Sequence, residues 1–191
     1  MNNTALIMID MQRGFIDPSS PLYVAGAAST VPACAEAIHF FHDNELPVFY
    51  AVRHYRADGS DVEKARAKTW AEGGKPLSEI CDEHMSDAFP ESFEVLECDH
   101  VLIKPRFSAF FATSLDLVLR RLGVQTVVLA GTTTPNCIRT TCYDALSLDY
   151  DVVVLSDCTS SVNDAVQTAN LEDMQRIGAK IMTLEEMKKH G

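Results

Sequence analysis

The sequence predicts an α/β fold, a three-layer α/β/α sandwich around a six-stranded parallel sheet (Rossmann-like). Two observations predict it. Short, continuously apolar runs recur along the chain, and such runs are typical of strands that are buried on both faces of a sheet. Amphipathic stretches of helical length separate these runs, as expected for parallel βα units. The 191 residues contain no internal repeat, low-complexity tract or linker, so we expect one domain over residues 1–191.

Six apolar segments are predicted to be the strands of this sheet. They lie at residues 5–10, 47–53, 100–104, 125–130, 151–156 and 180–183. The residues that end these strands are the first candidates for a functional site, because ligands of open parallel sheets bind beyond the carboxyl ends of the strands.

Helices are predicted between the strands. The first covers about residues 31–44, with Ser29 or Thr30 as its N-cap and Pro32 in its first turn. Thr113 is predicted to cap a later helix, with Asp116 three residues on as in a capping box. The other predicted helices cover residues 61–71, about 135–149, from Asn163 or Asp164 to near Gly178, and the polar C-terminal segment.

Residues 73–97 are predicted to form a long irregular excursion, because they hold Gly-Gly, prolines and scattered charges. Excursions of that length in a compact domain are usually functional or mobile. The sequence leaves open whether this one is a lid, a subunit interface or both.

Charge and cysteine content restrict the possible partners. With 27 acidic and 16 basic residues the formal net charge is -11, which argues against nucleic acid as a partner. No segment approaches the ~20 apolar residues of a membrane span, and the N-terminal residues lack a signal-peptide pattern. We therefore expect a cytoplasmic protein with no membrane partner. Of the six cysteines, all except Cys137 are expected to be small buried hydrophobes.

Three strand ends carry groups that can react together. Asp10 ends the first predicted strand, Lys104 ends the third, and the fourth runs through a Gly/Thr/Pro turn to Cys137 in the first turn of a helix. A helix N-terminus and a nearby lysine are expected to lower the pKa of a thiol. Asp10 is placed to take the thiol proton and later to protonate a leaving nitrogen. Taken singly, each residue has an ordinary structural explanation, but their convergence predicts a catalytic site.

The segments around these residues resemble the isochorismatase-like cysteine hydrolases over nearly the whole chain. The resemblance lies in residues 6–12 with Phe15, in residues 104–110, and in residues 131–141 with the Asp-Ala at 144–145. It implies a catalytic triad of Asp10, Lys104 and Cys137, and no cofactor. It also implies a cis peptide bond between Thr132 and Thr133, which would aim the Thr133 N–H, with that of Cys137, at an oxyanion.

The resemblance also bears on the reaction. Family members without the cysteine hydrolyse a vinyl ether, so Cys137 implies the amidase branch. Nicotinamidases of that branch carry a metal-binding Asp-x-His after the second strand, and residues 53–58 (Arg-His-Tyr-Arg-Ala-Asp) depart from it. We therefore assign no metal, and expect His54 to be packed or hydrogen-bonded, although a metal near it stays possible. Residues 104–111 are similar to those of ureidoacrylate and related ureide amidohydrolases, which favours a carbamoyl or ureido substrate.

Residues just past the strand ends are candidates for substrate contacts. Phe15, Phe107 and Phe110 are predicted to wall a small pocket or else to be core aromatics, and Arg56 is predicted to pair with a substrate carboxylate or else to be solvated. Trp70 is a candidate lid residue or subunit contact. Family members are commonly dimers or tetramers, so the resemblance implies a homodimer or homotetramer.

The predicted activity is hydrolysis of a C–N bond in a small amide, carbamoyl or ureido substrate through a cysteine thioester. Nicotinamidase and isochorismatase-type vinyl-ether hydrolase are alternatives within the family. Outside catalysis, two alternatives stay open. One is a receiver-like phosphoacceptor, although Arg53 and His54 occupy the strand end where an acceptor aspartate is expected. The other is an inactive family member that acts as a binding subunit.

Overall fold

The structure is a computed structural model that describes residues 3–190. Six strands form one sheet in which all pairings are parallel. The strands are β1 (Thr4–Ile9), β2 (Val48–Val52), β3 (His100–Ile103), β4 (Thr126–Thr132), β5 (Asp151–Ser160) and β6 (Lys180–Met182). The predicted fold class is confirmed.

Helices cover both faces of this sheet. They are α1 (Arg13–Ile16), α2 (Ala27–Asp43), α3 (Ala67–Glu72), α4 (Leu115–Arg121), α5 (Arg139–Ser147), α6 (Asp164–Arg176) and α7 (Leu184–His190). A π-helical turn, Thr134–Ile138, leads directly into α5, and a 3₁₀ turn, Glu83–Met85, lies in the irregular region before β3. No helix within residues 3–190 is long and apolar enough to cross a bilayer.

Alternate residues of the strands feed two cores, because successive side chains of a strand point to opposite faces. In β1, Ile7 and Ile9 belong to the cluster that also contains residues of α4, α5 and α6. Leu6 and Met8 belong to the cluster on the other face, which contains residues of α2 and α7. Every side chain of β1 is buried, as the continuous apolar run predicts.

The order of the strands fixes the place for a ligand. The sheet runs β3-β2-β1-β4-β5-β6, so the chain winds in one direction from β1 and in the other from β4. Crevices in open α/β sheets form at the carboxyl ends of the strands where this reversal occurs. Ile9 at the end of β1 pairs with Gly131 in β4. Asp10 and the segment that leads to Cys137 therefore leave the sheet side by side at the reversal.

The predicted caps of α2 are wrong. The helix begins at Ala27, so Ser29 and Thr30 lie inside its first turn and Pro32 lies beyond that turn. Their hydroxyls donate to the carbonyls of Gly26 (2.8 Å) and Ala27 (2.9 Å), three residues earlier. Such local bonds to a carbonyl compete with capping, because the hydroxyl then faces back along the helix instead of accepting from an N–H.

The capping box at α4 is wrong as well. The residue before the helix is Ser114, and Thr113, one residue further back, accepts a bond from the Leu115 N–H (3.2 Å). Asp116 does not bond back to the N-terminus, because its carboxylate accepts from the Tyr150 hydroxyl (2.9 Å) and pairs with Arg120. A tertiary contact thus replaces the local one.

Four other parts of the chain differ in length from the prediction or match it. The helix predicted at 61–71 is only α3, Ala67–Glu72, since Glu63 is drawn into a buried pairing with Arg53. β5 extends four residues further than predicted, to Ser160, and its end pairs with Thr132. The predicted irregular stretch at 73–97 contains the 3₁₀ turn, isolated turns and a single β-bridge from Ser78 to Tyr55. Asn163 caps α6, accepting from the Val166 N–H at 2.9 Å.

Candidate active site

Asp10 and Lys104 leave the sheet at the ends of β1 and β3. Hydrogen bonds extend the pairing by one residue in each case: the Asp10 N–H donates to the Ala51 carbonyl (2.9 Å), and the Lys104 N–H donates to the Val52 carbonyl (2.8 Å). Asp10 then takes a positive φ of 51°, which turns the chain away from the sheet. Both side chains are almost completely buried.

These two side chains form an ion pair that also reaches the cysteine. Lys104 Nζ lies 2.7 Å from Asp10 Oδ2 and 3.6 Å from Cys137 Sγ. Neither Asp10 oxygen has an aligned hydrogen bond among residues 3–190, so the contact with Lys104 is an ion pair in which the carboxylate keeps its capacity to accept. The structure therefore brings the three predicted catalytic residues into one buried cluster.

The turn before Cys137 depends on Gly131. Its φ is +116°, and a Cβ at this position would overlap the carbonyl of Ile9 in the neighbouring strand. The peptide bond between Thr132 and Thr133 is cis. The hydroxyls of Thr133 and Thr134 both donate to the Ser160 carbonyl, at 3.2 and 3.0 Å. The long β5 thus fixes the turn that presents the cysteine.

The expected lowering of the Cys137 pKa is wrong. Burial and, after it, the negative charge of Asp10 raise the pKa of this thiol, and the charges of Lys104 and Arg53 lower it only in part, so that the pKa is about 11. The side chain lies in a core cluster, 6% exposed, and the helix begins as a π-helical turn. Desolvation therefore exceeds the effects of the cations. The resting sulfur is a thiol.

Thr141 joins the cysteine helix to the loop that follows Lys104, which the sequence analysis did not identify. Its hydroxyl donates to the Cys137 carbonyl (2.7 Å) and accepts from the Ala109 N–H (3.0 Å). The side chain is completely buried. It therefore fixes the distance between the segment that carries the nucleophile and the segment that carries the lysine.

Arg53 is the second residue that the sequence analysis did not assign to the site. It follows β2, and Gln12 holds its backbone by two bonds of 2.8 Å, one to the N–H and one to the carbonyl. Its Nη1 pairs with Glu63 and donates to the Tyr55 hydroxyl (2.9 Å). In the sequence, the one signal for Arg53 is its position directly after a strand, as the first residue of the Arg-His that stands in place of Asp-x-His.

The predicted substrate contacts lie in different environments. Phe107 and Phe110 pack against the core cluster that contains Cys137, and the Phe110 ring lies 5.8 Å from that of Tyr150. Phe15 belongs to a separate cluster with Tyr55. Arg56 is on the surface: 69% of its side chain is exposed, and its Nε lies 3.6 Å from Asp58. Their roles in binding stay predictions.

His54 and Trp70 both have partners within the chain. His54 Nδ1 lies 2.7 Å from Asp87 Oδ2, as expected for a hydrogen-bonded histidine. Trp70 is buried, and its indole donates to the Pro76 carbonyl (2.8 Å). Within residues 3–190, no group of three or more His, Cys, Asp or Glu side chains is arranged to hold a metal ion.

Among the remaining cysteines the expectation of burial is wrong for Cys98, which is exposed.

Comparison with known protein families identifies one domain. An isochorismatase domain matches residues 4–186, which is almost the whole chain. This match includes all three residues of the buried cluster and the complete sheet.

Three individual proteins illustrate the similarity. A probable inactive nicotinamidase of Arabidopsis thaliana is 37% identical, over 96% of this chain and 94% of that protein. A maleamate amidohydrolase of Pseudomonas putida is 33% identical, over 95% of this chain and 84% of that protein. The crystal structure of an isochorismatase family protein from Desulfovibrio vulgaris superposes with a TM-score of 0.92 at 39% identity, over 99% and 98% of the two chains.

Proposed function

This chain belongs to the isochorismatase family of hydrolases, and from that premise we propose that it hydrolyses a C–N bond in a small amide, carbamoyl or ureido compound through a Cys137 thioester. One observation carries the proposal. Lys104 Nζ contacts both Asp10 Oδ2, at 2.7 Å, and Cys137 Sγ, at 3.6 Å, in a site from which water is largely excluded. A nucleophile, a base and an orienting cation are thereby within one side-chain length of each other.

The first half of the reaction follows from the protonated state of the thiol. Because the pKa of Cys137 is about 11, the sulfur gives its proton to the Asp10 carboxylate as it attacks the carbonyl carbon. Lys104 stabilises the negative charge wherever it lies, on sulfur or on carboxylate. The tetrahedral adduct then breaks its C–N bond, the nitrogen leaves with the proton held by Asp10, and a thioester remains on Cys137.

The second half consumes water. Asp10, again a carboxylate, takes a proton from a water molecule that attacks the thioester carbonyl. The C–S bond breaks, the sulfur recovers its proton from Asp10, and the carboxylic acid product leaves. In both halves we assign the N–H groups of Thr133 and Cys137 to the oxyanion, supported by the tight turn that the Thr133 and Thr134 bonds to the Ser160 carbonyl hold in place.

An inactive binding protein is the second candidate, because the Arabidopsis relative at 37% identity is a probable inactive nicotinamidase. The intact cluster of Asp10, Lys104 and Cys137 favours catalysis over this alternative. A nicotinamidase activity receives less support, since Arg53 stands at the strand end where that branch carries a metal-binding aspartate. A vinyl-ether hydrolase receives less support because the cysteine is present. The receiver-like alternative has no support in a chain of this family.

Exposed apolar side chains support a homodimer or homotetramer. Edge strand β3 presents Val101 and Ile103, which are 51% and 58% exposed, and neighbouring segments present Phe111 and Leu117 at 57% and 72%. Edge strands with exposed apolar residues are usually covered in the assembled protein. We expect this side of the sheet to take part in the subunit contact.

A screen for ammonia release tests the proposed activity. The panel contains small primary amides, ureides, N-carbamoyl amino acids and nicotinamide, and each compound is assayed with the wild type and with Cys137→Ala. We expect at least one carbamoyl or amide compound to be hydrolysed by the wild type alone. Acid-quenched wild type should carry an added mass equal to the substrate less ammonia on the Cys137 peptide. Ammonia release from no compound of the panel, or equal release by the wild type and Cys137→Ala, would contradict the proposal.

A further inference from the structure

Arg53 has hydrogen-bond donors that no residue in the described part of the chain uses. Its side chain is 1% exposed. One nitrogen, Nη1, pairs with Glu63, donates to the Tyr55 hydroxyl at 2.9 Å and lies 3.4 Å from the Pro105 carbonyl. The other two nitrogens, Nε and Nη2, have no hydrogen-bond partner among residues 3–190.

These two nitrogens form one edge of the guanidinium plane. Their N–H bonds point the same way, and this is the fork that binds a carboxylate through two parallel hydrogen bonds. Buried donors without a partner are costly, so proteins keep few of them, and those that remain call for an explanation such as a bound ligand. The Nε–Nη2 edge of Arg53 therefore has the geometry of an anion-binding group, and its donors lack an acceptor among the described residues.

The edge belongs to the same sheet margin as the reacting residues. Arg53 follows β2, which lies between β1 and β3, the strands that carry Asp10 and Lys104. Burial lowers the pKa of Arg53, but the negative charges of Asp10 and Glu63 help to raise it above its ordinary value overall, and Tyr55 and Cys137 act in the same direction. The guanidinium is thus within electrostatic reach of both the base and the nucleophile. Gln12 fixes its backbone from both sides.

A second guanidinium lies beside it. Arg53 Cζ is 5.4 Å and Arg66 Cζ is 4.7 Å from the centroid of the same ring, Phe107. Within residues 3–190, Arg66 has no carboxylate partner, and it lines a largely apolar cavity of about 260 Å³ together with Tyr55 and Trp70. Phe107 thus contacts two guanidinium groups, and in a chain with a net charge of -11 this pairing of cations is a selective feature.

We propose that the Nε–Nη2 edge of Arg53, with Arg66 beside it, binds the carboxylate of an anionic substrate whose amide carbonyl is attacked by Cys137. This inference rests on the proposed function and specifies its substrate class: a small acid that carries an amide or carbamoyl group, not a neutral amide. It also moves the anion site from the exposed Arg56 of the sequence prediction to a buried arginine three residues earlier.

A purely structural role for Arg53 makes a different prediction. If Arg53 serves only to hold Glu63 and Tyr55, its replacement lowers kcat/KM for all substrates by the same factor. If it binds a carboxylate, its replacement lowers kcat/KM much more for the anionic member of a matched pair than for the neutral member. The ratio of the two kcat/KM values therefore separates the two roles even in a variant that is less stable.

The experiment uses two matched pairs, succinamate with succinamide and N-carbamoylglycine with N-carbamoylglycinamide. The wild type should prefer the acid of a pair by about ten-fold or more, the usual value of a charge-assisted bidentate contact. Arg53→Lys keeps the charge but loses the fork, and should remove most of the preference. Arg66→Met should reduce it in part. Arg176→Met, an exposed arginine of α6 whose partner is Glu172, is the control and should keep it.

Three results would overturn the inference: a wild type that treats acid and neutral amide alike, a preference unchanged in both Arg53→Lys and Arg66→Met, or a preference that is lost in Arg56→Met instead.

A binding measurement separates this inference from the proposed function. In Cys137→Ser, calorimetry should show that succinate binds more tightly than succinamide and that Arg53→Lys weakens succinate. That result without any turnover by the wild type would contradict the proposed function and support the anion site. Equal binding of the two compounds, or binding of neither, would overturn the site.

Discussion

Lys104 and Asp10 form a buried ion pair at the ends of two strands that are not neighbours in the sheet, with 2.7 Å between Nζ and Oδ2. The strand between them, β2, brings Arg53 to the same margin. A buried ion pair is weak evidence for stability, because desolvation of both charges offsets their attraction. Its position 3.6 Å from the Cys137 sulfur gives it a functional explanation instead.

Replacement of the general base should lower the rate of the chemical step more than it lowers the affinity for substrate. Asp10→Asn keeps the size of the side chain but cannot accept the thiol proton. We expect kcat to fall by about 10²–10⁴-fold, the usual contribution of a general base, with a smaller change in KM. Asp17→Asn, at a half-buried position outside the cluster, is the control. An Asp10→Asn enzyme with wild-type kcat would exclude Asp10 as the base.

Alkylation should reveal a protonated resting thiol. Because the folded-state pKa of Cys137 is raised to about 11, the thiolate fraction is small at pH 7 and rises with pH until that value. Iodoacetamide labelling of the Cys137 peptide, followed by mass spectrometry, should therefore accelerate up to about pH 11. Lys104→Met should shift this profile to still higher pH, because the lysine charge lowers the pKa.

The exposed Cys98 provides an internal reference for the same experiment, since it reacts in every sample. At pH 7 we expect Cys137 to label more slowly than Cys98. A half-maximal rate for Cys137 near pH 7 would show a preformed thiolate and would contradict the proton transfer to Asp10 during attack. Slow labelling is therefore the expected behaviour of the active enzyme, not a sign of an inactive one.

Gly131 should tolerate no side chain. A Cβ there would overlap the Ile9 carbonyl, and the φ of +116° is unfavourable for any other residue. We expect Gly131→Ala to lower the free energy of unfolding by about 3 kcal/mol or more, or to prevent folding. Gly123→Ala is the matched control: its φ is also positive, +71°, but among the described residues other than its chain neighbours no atom lies within 4 Å of the added carbon. Its cost should be about 1 kcal/mol. Equal losses in chemical denaturation would refute the overlap.

Thr141 should matter for both stability and rate. Thr141→Val keeps the shape but leaves the buried Ala109 N–H without its acceptor, at a cost of about 1–3 kcal/mol. Because the same hydroxyl connects the Cys137 segment to the loop after Lys104, kcat should fall as well. Thr140→Val is the control at the preceding residue, where the hydroxyl bonds to carbonyls of the π-helical turn that leads into the same helix. If the two variants behave alike, Thr141 has no special role in positioning.

The layout of the site was predictable from the sequence to the extent that it depends on strand ends. Apolar runs located β1, β3 and β4, and their last residues lead to Asp10, Lys104 and the turn before Cys137. The parallel arrangement of the sheet was predictable because strands buried on both faces are continuously apolar, whereas strands with one face in solvent alternate apolar and polar residues. These features depend on local pattern and on one general rule of topology.

Other features depend on contacts between distant segments, and the sequence analysis missed them. The pairing of Arg53 with Glu63 shortens α3 and buries a guanidinium, but neither effect has a periodic signature. The sign of the Cys137 pKa shift was wrong for the same reason, because the depth of burial is a tertiary property that a helix position does not reveal. The hydroxyls of Ser29 and Thr30 bond backwards inside α2 for local reasons, but composition alone cannot distinguish this from capping.

Turnover by Cys137→Ala tests the central claim most directly. Once the ammonia-release screen has identified a hydrolysed amide, the rate of the variant is compared with that of the wild type at saturating substrate, after circular dichroism has shown that both are folded. We predict that the variant loses about 10⁴-fold or more in kcat, as expected when a covalent nucleophile is removed. A folded Cys137→Ala protein that releases ammonia at the wild-type rate would contradict the thioester mechanism.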